Sequence, residues 1–325
     1  MKHSSTRRRA ISVLSVAPLV LSGWARAQDV MQPLRLLSPV GPGSAGDILL
    51  RKMAEQLGTG TKQTIIVENK PGADGLIALQ ALLTAPADGS TVLQLGPQQL
   101  VFNPLLRNDL PYAIDDIRPV IGFAQFWCVL VAGPNARFTS FDEFVAAART
   151  SARSVSLGTS GLSFRVGAEY LARKIETEFL QIEYKTTPQM LTDIMGGTLD
   201  CAFIPSSGMS TFVDSGKLRM LAAASTSRLP KLPKVPTIRE RGVDFDWPLW
   251  MALAVGAKTP DVVTARLESQ FRAALTSKEM REAAADLDFE VTATPGRKIA
   301  TLAAADTERL RDVVKDVVSQ RNATR

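Results

Sequence analysis

The sequence predicts an α/β fold with mostly parallel strands, and three observations carry that prediction. Apolar runs of strand length alternate with segments whose apolar residues recur every three or four positions, over most of the 325 residues. A Gly/Pro-rich turn joins strand to helix near residues 38–47 and again at 69–75, and a polar turn does so at 158–163. The final part reads as helices with a single candidate strand at 289–292, too little for a separate sheet, so it is expected to pack back onto the first part.

Residues 34–38 form the first strand, and the helix after it places Leu50, Met53, Ala54 and Leu57 on one face before Gly58 stops it. Strand 65–68, turn 69–75, a helix to 83 and strand 91–95 repeat the pattern. A second set starts with strand 129–132. Ser140 and Glu143 have capping-box spacing and open a helix to 150. Strands at 155–157, 181–184, 201–204 and 218–224 then alternate with helices at 164–176 and 188–195, the second stopped by Gly196 and Gly197. Pro230, Pro233 and Pro236 mark a surface crossing before a buried strand at 249–255. Helices follow at 262–275 and 278–286. A last, long helix is expected to use Thr294 as N-cap and Pro295 at its first position.

The first 27 residues read as a cleaved secretory leader rather than as fold. Lys2, Arg7, Arg8 and Arg9 make its basic start, residues 10–21 its short apolar run, and Ala25-Arg26-Ala27 its cleavage site. The mature chain is therefore expected in the periplasm. Without the leader's five basic residues the formal charge falls from +6 to +1, which leaves no electrostatic footprint for nucleic acid. The only histidine, His3, lies in the leader, so imidazole-based nucleophilic catalysis and imidazole zinc sites are excluded from the mature chain. Neither a metal nor a cofactor is expected, and an enzyme is disfavoured because no paired carboxylates stand at a recognisable spacing. Cys128 and Cys201 each sit in an apolar run and read as buried thiols.

The first turn is an expected anion site. Helix-start amides have no intrahelical acceptor and lie at the positive end of the helix dipole. Val40, Gly41, Gly43, Ser44 and Asp47 are its candidate residues, with Gly72 and Ala73 in the second turn. The Asp47 carboxylate would repel an anion, so capping or bracing of the loop competes with direct contact. Thr159, Ser160 and Ser163 bring hydroxyls to a third helix start, where capping accounts for one of them. Gln98 and Asn103 follow one strand and Ser206 and Ser207 another, at the carboxyl ends where open α/β sheets bind ligands. Phe126, Trp127, Phe164 and Phe203 read either as core or as flanks for an apolar ligand body.

Several short motifs in one order resemble the periplasmic receptors of tripartite tricarboxylate transporters, the Bug family. They include the Pro/Gly loop ending in Asp47, the run Val67-Glu68-Asn69-Lys70-Pro71-Gly72-Ala73-Asp74-Gly75, Ala87-Asp88-Gly89, Asn103-Pro104, Leu110-Pro111-Tyr112, Tyr184-Lys185, Gly216-Lys217-Leu218-Arg219 and Val235-Pro236-Thr237. The resemblance covers nearly the whole mature chain. It implies a two-lobed periplasmic binding protein of the Venus-flytrap type, a monomer with a ligand cleft between lobes, in which backbone groups and water hold a small organic carboxylate. The lobes are expected at residues 28–126 plus 251–325, and at 127–250. The implied partner is a membrane permease, or the outer domain of a sensor kinase if the receptor serves signalling. The chain departs from the family pattern at Val40, Gly41 and Ser44, which either retune the turn or enlarge the pocket and add a hydroxyl. It also departs at Arg165, where the family commonly has histidine. That arginine either binds a carboxylate bidentately or is a surface residue, free or paired with Glu169.

Overall fold

The computed structural model describes residues 32–107 and 109–323; the leader read at residues 1–27 lies outside them. Ten strands join in one mixed sheet: β1 (Leu34–Ser38), β2 (Ile65–Asn69), β3 (Thr91–Leu95), β4 (Ile117–Ala132), β5 (Ser156–Thr159), β6 (Leu180–Glu183), β7 (Cys201–Pro205), β8 (Arg219–Ala223), β9 (Pro248–Gly256) and β10 (Glu290–Pro295). Their order is β2-β1-β3-β9-β4-β7-β5-β6, with β8 and β10 also on β4. The helices are α1 (Ala45–Thr61), α2 (Leu76–Leu83), α3 (Asn103–Leu106), α4 (Phe141–Ala148), α5 (Leu162–Lys174), α6 (Thr187–Gly196), α7 (Ser210–Asp214), α8 (Asp261–Leu275), α9 (Lys278–Asp286) and α10 (Gly296–Ala323).

The sheet is parallel only in its wings, where β1 pairs with β2 and β3, and β5 with β6 and β7. Its centre is antiparallel because β4 carries the chain out of the first set of strands and β9 brings it back. β4 pairs with β9 as far as Trp127 and with β7 from Cys128 onward. The sequence gives strand signals only for its end, since Arg118, Pro119 and Gly122 interrupt the apolar run. The strand absorbs them with register shifts between Pro119 and Ile121 and between Gly122 and Ala124.

Alternation along the strands sorts the core. Leu34 and Leu36 join one cluster with Leu50 and Met53 of α1 and Phe271 of α8, whereas Leu37 joins another with α2. In β4, Val129 and Val131 face a third cluster with Met190 and Ile194 of α6, and Leu130 faces away from it. Cys128 and Cys201 are free and fully buried, and desolvation pushes both thiols well above their ordinary pKa.

Two expectations about the tail change. Thr294 and Pro295 pair with Gly122 and Ile121 as the end of β10, so they do not cap the last helix, which starts at Gly296. That helix also reaches beyond the first part. Arg173 of α5 donates to the Asp312 carbonyl at 3.0 Å and pairs with the Asp316 carboxylate. The Arg309 guanidinium of α10 lies 5.6 Å from the Tyr170 ring and 5.9 Å from that of Trp247. On the same helix, Asp306 accepts from Trp250 Nε1 at 3.3 Å and from Arg309 at 2.8 Å. Burial pushes its carboxyl above the usual range, against the pull of Arg309 and Trp250. Among the described residues no helix is long and apolar enough to cross a membrane.

Candidate functional site

The first two turns form one bonded network. Ser44 is the N-cap of α1, its Oγ accepting from Asp47 N at 3.3 Å. The amides of Ala45 and Gly46, at the first two helical positions, find no acceptor among the described residues. Asp47 is 1% exposed and braces the loop. It accepts from Gly43 N at 2.9 Å, Arg51 Nε at 3.0 Å and Asn69 Nδ2 at 2.7 Å, and the same Asn69 amide donates to the Val40 carbonyl at 3.0 Å. Burial pushes the Asp47 carboxyl up, but these three donors outweigh it and hold the group below the usual carboxylate range. Two loop amides are committed to the protein, that of Gly43 to Asp47 and that of Ser44 to the Gly41 carbonyl at 3.3 Å. Around Gly41 there is open space.

The second turn has four successive residues of positive φ: Gly72 at 115°, Ala73 at 47°, Asp74 at 55° and Gly75 at 83°. Two of them carry side chains, a conformation that costs about 1–3 kcal/mol each and persists only where neighbours enforce it. Here the neighbours come from the wide helical turn at Gln98–Phe102 and from α3. The Asn103 amide donates to the Asp74 carbonyl at 3.2 Å, and Arg107 pairs with the Asp74 carboxylate at 3.1 Å. Gln98 donates to Asn103 Oδ1 at 2.7 Å, so these two candidates are bonded to each other and to the second turn. Gly75 leaves no room for a Cβ beside Gln99 and Pro39, which presses the first turn against the second. The amides of Ala73 and Asp74 have no acceptor among the described residues.

The third turn differs in its cap. Gly161, at φ 99°, is the N-cap of α5 and offers no side-chain bond, so none of Thr159, Ser160 and Ser163 is consumed by capping. Thr159 Oγ1 is buried and unpartnered at the end of β5. Ser206 Oγ is likewise buried and unpartnered just past the end of the adjacent β7, while Ser207 next to it is half-buried. Arg165 pairs with Glu183 at 3.3 Å, not with Glu169, its side chain is 15% exposed, and its Nε has no partner. The two sets of turns approach through aromatic residues. Phe102 stacks on Trp247 with centroids 6.4 Å apart, and the Trp247 indole sits against Gly167 of α5.

Of the aromatic candidates, Phe203 is fully buried and packs on Phe245, Phe126 packs on Phe289 with centroids 5.1 Å apart, and Trp127 borders a cavity. Residues outside the expected set also belong here. Ser38 donates to Gln94 Oε1 at 3.1 Å, and the Gln94 amide reaches toward Met251 beneath Gly46. Tyr112 donates to the Gln99 carbonyl at 2.5 Å, and burial pushes its hydroxyl up to about 12. A polar Gln94 inside the apolar strand 91–95 was the available signal, since a polar side chain in a buried strand needs a partner.

Comparisons with known proteins agree with this architecture. A UPF0065 protein of Bordetella bronchiseptica is 33% identical over 253 residues, 76% of this chain and 75% of that one. A solved periplasmic transporter is 26% identical, covering 88% of this chain and 97% of the other with a TM-score of 0.76. A Rhodopseudomonas palustris protein with adipate is 24% identical, with 88% and 97% covered and a TM-score of 0.76. MatC of the same organism, with bound malate, is 22% identical, with 87% and 99% covered and a TM-score of 0.74. The fold is accordingly the two-lobed one of periplasmic binding proteins. The family model described as the tripartite tricarboxylate transporter family receptor matches residues 49–318, and the chain belongs to that family of solute receptors.

Proposed function

We propose that this receptor binds a small organic carboxylate between its lobes, outside the cytoplasm, and hands it to a tripartite tricarboxylate-type permease. One observation carries the reading: unsatisfied donors stand at strand ends in both sets of turns. The free amides of Ala45 and Gly46 lie at the positive end of α1, with those of Ala73 and Asp74 beside them. In the second set the Thr159 hydroxyl stands buried and unpartnered at the end of β5. Such groups suit a carboxylate and its bridging waters without a charged side chain. The adipate and malate held by two structural neighbours are of that class.

The lobes we assign are residues 28–126 with 251–325, and residues 127–250. The change of partner along β4 at Trp127 and Cys128 supports that boundary. The basic and apolar leader supports export, and the family's description as transporter receptors favours a permease over a sensor kinase as partner. The test is a thermal-shift screen with mono- and dicarboxylates, adipate and malate included. A bound acid at a hundred times its Kd stabilises by about 2.7 kcal/mol. A panel in which sugars or amines stabilise and no carboxylate does would refute the reading.

A further inference from the structure

A cavity of about 390 Å³ lies between the turn after β7, the segment 227–232 and the α9–β10 turn. Its volume falls within the roughly 300–1,000 Å³ usual for small-molecule sites. Trp127, Leu229, Pro230, Leu232 and Phe289 give it apolar walls. The charged groups on those walls already have partners within the protein. Lys231 lies 3.3 Å from Asp288 and donates to the Asp286 carbonyl at 3.0 Å. Arg228 is held by Glu240 and by the Pro233 carbonyl, and Glu290 accepts from Gln125 at 2.7 Å. The buried polar group that remains is the Ser206 hydroxyl, on a residue only 1% exposed, which lines the cavity and has no partner.

The walls are also held at a set distance. Asp288 accepts from Gly208 N at 3.4 Å as well as pairing with Lys231, so one carboxylate ties the α9–β10 turn to both facing segments. It does so at φ 58°, a conformation that residues with side chains rarely adopt. A space with apolar walls, charged groups already bonded within the protein and one buried hydroxyl fits an uncharged ring or branched chain with a single hydrogen-bonding position.

We propose that this cavity receives the apolar body of the solute, with Ser206 as its one polar contact, so that the preferred solutes are acids bearing an aromatic or branched group. The acid group itself rests on the carboxylate reading above; the cavity is argued from its own walls. Ser227 and Ala285 are exposed residues on opposite walls, so Ser227→Trp and Ala285→Phe each fill the space without touching the core. Calorimetric titration of the purified protein with 4-hydroxyphenylacetate and glutarate is expected to give at least tenfold tighter binding of 4-hydroxyphenylacetate. Either filling variant is expected to erase that preference and leave glutarate within twofold. Equal or tighter glutarate binding, or filling variants that weaken both acids alike or neither, would overturn the proposal. If neither acid binds, the cavity is read apart from any acid group, with neutral benzyl alcohol by saturation-transfer NMR. A signal lost in both filling variants supports the ring site; no signal, or one that survives filling, overturns it.

Discussion

Replacing Asp47 with alanine tests whether the first turn is braced from within. The carboxylate is buried and accepts three hydrogen bonds, from Gly43, Arg51 and Asn69. A hydrogen bond to a charged group contributes about 1.5–3 kcal/mol, and the Gly43 and Asn69 donors would be left behind in a half-buried loop. Arg51 is 48% exposed, so solvent screens its share. The expected loss is therefore about 3–4 kcal/mol, near the cost of breaking a buried pair. Equilibrium urea unfolding reads it directly. The pH dependence has a fixed sign: the folded carboxyl lies below its unfolded value, so its contribution is full above that unfolded value and is lost as pH falls through the folded one. In the Asp47→Ala variant that acid-side loss should vanish. A cost below about 1 kcal/mol, or weakened solute binding at unchanged stability, would refute bracing and point to direct contact.

Gly75→Ala should lower stability by about 1–3 kcal/mol, because φ is 83° and the new Cβ overlaps the Gln99 amide; an unchanged melting temperature would contradict that packing. Asp306 has the opposite sign to Asp47. With its carboxyl raised in the folded state, its stabilisation is full below the ordinary carboxylate value and is lost as pH rises through the raised one. Asp306→Asn, which keeps an acceptor for Trp250, should flatten the fall in stability as pH rises above the ordinary carboxylate value, and an unaltered pH profile would exclude this group as its source. Arg165→Ala should weaken carboxylate binding about tenfold, or roughly 1.4 kcal/mol, if the unpartnered Nε side of the guanidinium faces the solute. Equal affinity in calorimetry would leave Arg165 as the partner of Glu183 alone.

Legibility in the sequence followed the range of the forces involved. Helix starts set by local bonds were readable: Ser140 accepts from Glu143 N at 3.2 Å, and α6 ends on Gly197 at φ 80°. The strand-turn-helix units at 34–61 and 65–83 were readable for the same reason. β4 was not, because its first ten residues owe their extension to β9 and β10, which lie more than a hundred residues away. Thr294 and Pro295 look like a helix start in isolation, and pairing with β4 overrides that preference. In the site, donors at turns could be located by type, yet which of them are used up could not. Asp47 takes the Gly43 amide, and Gln98 and Asn103 hold each other; both facts depend on neighbours brought in by the fold.

The last helix has a bearing on how the protein is assembled. α10 follows every strand among the described residues, yet it covers Tyr170 and Trp247 and supplies Asp316 to Arg173. Neither half can finish its own surface from the residues that precede Gly296. Maturation should therefore be a late, cooperative event: during synthesis the chain stays a substrate for chaperones and proteases until α10 arrives and docks. A nick in the loop before β10 would be expected to loosen both halves together, not the tail alone.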